Sequence, residues 1–109
     1  MEILSFTGKR FQISLSYIKE LLSEKNFVQN EDTTSFTKEG ITIFVNKMSN
    51  NSVNNNLILM FIVANELGQV LFSNNAIIKS DSSLDNNFSN IDIAVKALEN
   101  HFDFTKSSI

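Results

Sequence analysis

Residues Asn56 to Lys79 hold two apolar runs, Leu57-Ile-Leu-Met-Phe-Ile-Val-Ala64 and Val70-Leu-Phe72, on either side of Asn65-Glu-Leu-Gly68-Gln. Both runs are rich in β-branched and aromatic residues, and a short loop with a late glycine suits a hairpin whose last turn residue has positive φ. The longer run alternates into two sets, Ile58, Met60 and Ile62 on one face and Leu57, Leu59, Phe61 and Val63 on the other. Both sets are apolar. A strand with one wet side carries polar residues there, so this strand needs cover on both faces. Either helices lie on opposite sides of the sheet, or one side is covered by something else.

The rest of the chain reads as one domain spanning residues 1–109. Glu2 to Phe6 is a short apolar run closed by Thr7-Gly8-Lys9-Arg10, which reads as a first strand or extended arm. From Ser14 the spacing turns helical, with Leu15, Ile18 and Leu22 on one stripe and Lys19, Glu20, Glu24 and Lys25 opposite. Ser14 suits the cap of that helix, and Asn26 suits a left-handed stop. Thr33 to Thr37 and Ile41 to Val45 form a hairpin through Lys38-Glu39-Gly40, with Ile41, Ile43 and Val45 on one face by alternation. Polar connections follow at Ser49–Asn56 and Ser80–Asn87. A last helix is expected from Ile91 to about Phe102, capped at Ser89, with Ile91, Ala94, Val95, Leu98 and Phe102 as its apolar stripe.

Consecutive strands with short turns make a meander, and segregated helices make the class α+β. The expected fold is an antiparallel sheet of four to five strands with two helices, in the order β-α-β-β-β-β-α. Through Lys79 this order resembles a cystatin-like arrangement, a helix wrapped by an antiparallel sheet, in topology alone. Ten phenylalanines and no tryptophan make Phe the main bulky filler, and most of the ten are expected inside.

The chain carries little of the inventory that chemistry needs. Phosphate-cradling loops use several close glycines before a helix, whereas Gly8, Gly40 and Gly68 are isolated. His101, the only histidine, sits where a cationic ring suits a helix C-terminus. Glu31-Asp32 reads as a solvated turn. The segment Asp81 to Asp92 resembles the twelve-residue EF-hand calcium loop, with Asp81, Ser83, Asp85, Phe88 and Asp92 at the first, third, fifth, eighth and twelfth positions. It departs in having Asn86 for the invariant glycine, aspartate for the bidentate glutamate, and a strand leading in. The reading adopted is a polar linker ending in a helix cap, with no metal and no cofactor.

A formal charge of −3 gives no attractive field for phosphates, and nucleic acid is not an expected partner. No cysteine is present, which suits a reducing compartment. The charges of the N-terminus follow a very short apolar stretch, the reverse of a secretory signal, and the longest apolar run is eight residues. The expectation is a cytoplasmic protein that does not engage a membrane. Its expected function is non-enzymatic: a small acidic inhibitor, immunity protein or phage-type antagonist of a larger protein, such as a nucleic-acid-binding enzyme. The partner surface would gather Glu31, Asp32, Glu66, Asp81 and Asp85. Two alternatives are a self-associating dimer that covers the second apolar face of Leu57–Ala64 and a cystatin-like domain holding a small ligand among its phenylalanines.

Overall fold

The computed structural model describes residues 6–49, 57–79 and 83–102. The elements follow in the order α1 (Phe6–Glu24), β1 (Val28–Gln29), β2 (Ser35–Lys38), β3 (Ile41–Ser49), β4 (Leu57–Ala64), β5 (Val70–Ile78) and α2 (Leu84–Phe102). The five strands form one antiparallel sheet in sequence order, a simple meander. The class is α+β, as the pattern of apolar runs implies.

The first element differs from expectation. Phe6 and the Thr7–Arg10 segment lie in α1 rather than in a strand and a turn, and residues 2–5 of the expected strand fall outside the described residues. The buried stripe of α1 begins a turn earlier than Leu15, at Phe11, and continues through Ile18 and Leu22 at helical spacing. Ser14 is therefore a buried mid-helix residue, not a cap. The C-terminus ends as the sequence suggests. Asn26 takes φ 71°, the Phe27 N–H donates to Leu22 C=O, and the Asn26 N–H donates to Ser23 C=O. That double bond is a Schellman closure, and buried Phe27 supplies its apolar contact with Leu22.

Helix α2 starts seven residues before Ile91, at Leu84. Its cap is Ser83, whose hydroxyl accepts the Asn86 N–H at 3.2 Å, with Asp85 in the positive first turn. Asn87, Ile91, Ala94, Val95 and Leu98 form its buried stripe. Residues 80–82 of the expected linker, like 50–56 of the other polar connection, lie outside the described residues, while Ser49 belongs to β3.

Both helices pack on the same face of the sheet. Leu57, Leu59, Phe61 and Val63 of β4 are completely buried with Phe36, Ile43, Val45 and Ile78 from neighbouring strands, in one cluster with the α1 and α2 stripes. Helix α1 lies across β1, β3 and β4, and α2 lies along β5. The helices run parallel to each other. Tyr17 Oη donates to Asp92 Oδ1 at 2.7 Å, the Tyr17 and Phe88 rings stack at 4.2 Å, and Lys25 pairs with Glu99 at 3.1 Å. Their C-termini lie at the end of the sheet that holds the β2–β3 and β4–β5 turns, since Lys38 sits over the Phe27 ring and His101 stacks on Phe72. Their N-termini lie at the other end, where Phe11 meets Lys47 and Asn87 meets Lys79.

Of the seven phenylalanines whose side chains are described, Phe11, Phe27, Phe36 and Phe61 are buried, Phe72 and Phe88 are half-buried, and Phe44 is exposed. The exception lies on the side of the sheet that the helices leave open.

Candidate functional site

Because both helices choose one face, the alternation of the strands leaves the other face to solvent. Register aligns the open side into three cross-strand rows: Phe44, Ile62 and Ser73; Asn46, Met60 and Asn75; Met48, Ile58 and Ile77. Phe44, Met48 and Ile77 are 39%, 42% and 45% exposed, too open for core residues and too apolar for an ordinary wet face. Ile58, Met60 and Ile62 in the centre are half-buried by their neighbours on either strand. Thr37, Thr42 and Val28 extend the same side across β2 to β1. Among the described positions of β1 to β5 that point this way, none is charged. Lys38 and Lys47 point to the helix side, each over a phenylalanine ring at 5.9 and 5.6 Å.

The long edge of this surface is partly capped, toward the end that holds the helix N-termini. Strand β5 is outermost, and an outermost strand normally offers free N–H and C=O groups to any passing chain. Here asparagine amides occupy some of them, at Asn75, Ile77 and, just past the strand, Lys79. Asn90 Nδ2 donates to Ile77 C=O at 2.9 Å, and Asn74 Oδ1 accepts the Asn75 N–H at 2.9 Å. Asn87 uses both ends of its amide on Lys79, accepting its N–H at 3.0 Å and donating to its C=O at 3.2 Å. The opposite edge, β1, is two residues long.

The five carboxylates singled out in the sequence are not gathered. Glu31 and Asp32 sit in the β1–β2 turn at the helix N-terminal end of the molecule, where Asp32 accepts the N–H groups of Thr34 and Ser35 and the Ser35 hydroxyl. Asp85 is at that end too, but at the start of α2 beyond β5, on the order of 20 Å across the sheet at four strand spacings. Glu66 lies at the opposite end, its carboxylate against Gly40 of the β2–β3 turn. Asp81 lies outside the described residues.

The calcium-loop likeness gives way for the same reason that α2 starts early. Asp85, Phe88 and Asp92 are wound into the helix, Asn87 is turned inward to Lys79, and Asp92 accepts from Tyr17. Among the described residues no group of three or more His, Asp or Glu side chains is placed to hold a metal ion. His101 occupies the last turn of α2, stacked on Phe72 at 4.6 Å. A groove of about 240 Å³ separates the helices, lined by Leu21, Lys25, Asp92, Val95, Lys96 and Glu99, and the Lys25–Glu99 ion pair crosses it. Above it the Tyr17 hydroxyl is pushed up to about 12, first by its hydrogen bond to Asp92, then by burial and by the negative charges of Asp92, Glu20 and Glu24.

The sequence shows Ile58, Met60 and Ile62 as one of two apolar sets of that strand; which set stays open follows from where the helices pack, and its extension to Phe44, Met48 and Ile77 from register. No family model, curated protein or solved structure matches the chain.

Proposed function

We propose that this chain is a non-enzymatic binding protein that engages a protein partner through the open face of its sheet. One observation carries the reading: the face is apolar at its centre, uncharged among its described positions, and left open by both helices, which pack on the other side. Apolar exposure of this extent in a chain that is 19% charged costs solubility unless a partner uses it. The finer part of the proposal is that the partner is a larger protein which the chain blocks. It is supported by the net charge of −3, which suits a basic rim around an apolar contact and speeds encounter.

Capture from a lysate with the wild-type chain and with Met60→Glu as bait tests the reading. A partner held by wild type and released by Met60→Glu supports it; a partner held equally by both places the working surface elsewhere.

A further inference from the structure

We propose that, when no larger partner is bound, a second copy of this chain covers the open face, so that the free protein is a face-to-face dimer. The inference rests on the reading of that face as a protein interface, and names its occupant.

Self-complementarity carries the argument. A two-fold pair buries the same patch on both copies, so the patch must match itself. In the middle row Met60 is flanked by Asn46 and Asn75, with Phe44, Ile62 and Ser73 on one side and Met48, Ile58 and Ile77 on the other. Any two-fold axis that lies between the sheets, runs along or across the strands and passes over Met60 sets Met60 on Met60. It sets asparagine on asparagine, and an amide both donates and accepts, so each can bond its mate. It sets one apolar row on the other or each on itself, with Ser73 the single polar member. No like charges meet, because the described positions of the face carry none.

Area and geometry agree. Strands of nine, eight and nine residues, with the shorter β2 and β1 beside them, make a footprint of about 500 Å² per copy. Doubled, that reaches the roughly 1,000 Å² that a specific interface needs, before side-chain relief is added. Sheets stack face to face about 10 Å apart with interdigitated side chains, and the amide caps at Asn75 and Ile77 weaken edge-on addition at that part of β5.

Sedimentation from micromolar to hundreds of micromolar chain tests this, with wild type, Met60→Glu, Ile77→Glu and Ile93→Glu. Ile93 is 69% exposed on α2, away from the sheet. A wild-type dimer weakened at least tenfold by Met60→Glu and Ile77→Glu, and unchanged in Ile93→Glu, supports the inference. A folded wild type that stays monomeric throughout, or a dimer that Ile93→Glu weakens as much as the face variants, overturns it. The outcome separates from that of lysate capture: a monomer that still captures a partner through Met60 defeats the dimer and leaves the binding reading standing.

Discussion

Asparagine serves several distinct purposes in this chain. Asn26 accepts a left-handed backbone that a β-branched residue resists. Asn65 closes the β4–β5 turn, its Oδ1 accepting the N–H groups of Leu67 and Gln69. Asn87 substitutes for a missing sixth strand at Lys79. Asn87 is almost wholly buried, 1% exposed, so truncation leaves a cavity there and removes both partners of the Lys79 backbone. Asn87→Ala is expected to cost about 1–3 kcal/mol, read as a shift in the urea midpoint at unchanged slope. Tyr17 offers a second residue-level test, because it is the only tyrosine and the chain has no tryptophan. Absorbance titration should find its ionisation near 12, and Asp92→Asn should return it toward 10. The folded chain holds the neutral phenol more strongly than the unfolded chain does. Its contribution to stability is therefore intact below about pH 10 and is lost as pH rises from there to about 12.

Among the elements, the two faces of one sheet predict opposite responses. Phe36 is completely buried beneath the helices, whereas Phe44 on the next strand is 39% exposed on the other side. Phe36→Ala should cost about 3–5 kcal/mol. Phe44→Ala, measured dilute enough to keep copies apart, should cost less than about 1 kcal/mol. Strands β2 to β5 and the β2–β3 and β4–β5 turns were legible because period-two alternation is a strong local signal and Gly40 and Gly68 mark those turns by positive φ. The helix starts were not. Gly8 at one start and Asn86-Asn87 at the other read locally as breakers, yet both lie inside helices. For Asn87 the reason is a partner at Lys79, a long-range contact that no local pattern encodes. The side of the sheet that each helix covers was also hidden, because periodicity states that a helix has an apolar stripe and not which face it crosses to. Once both chose the same face, the second apolar set of β4 became a surface.

For the whole molecule, the absence of charge on that surface sets its response to salt. Screening weakens association driven by exposed charges, whereas burial of apolar area is insensitive to it or strengthened by excluded salts. Raising sodium chloride should therefore leave the proposed dimer intact, or tighten it, by sedimentation at fixed concentration. Encounter with a basic partner, steered by the net charge of −3, should slow under the same change.

The parallel course of α1 and α2 adds an electrical polarity to the molecule. Each helix places about half a positive charge at its start and half a negative charge at its end, and here the starts lie together, as do the ends. Side-chain charges are mixed at both poles: Lys9, Arg10, Lys47 and Lys79 share the positive end with Glu31, Asp32 and Asp85, and Glu24, Glu39, Glu66 and Glu99 share the negative end with Lys25 and Lys38. A pair related by an axis along the strands would hold like poles side by side. An axis across the strands reverses one copy, lays its negative pole over its mate's positive pole, and sets β4 against β4 head to tail.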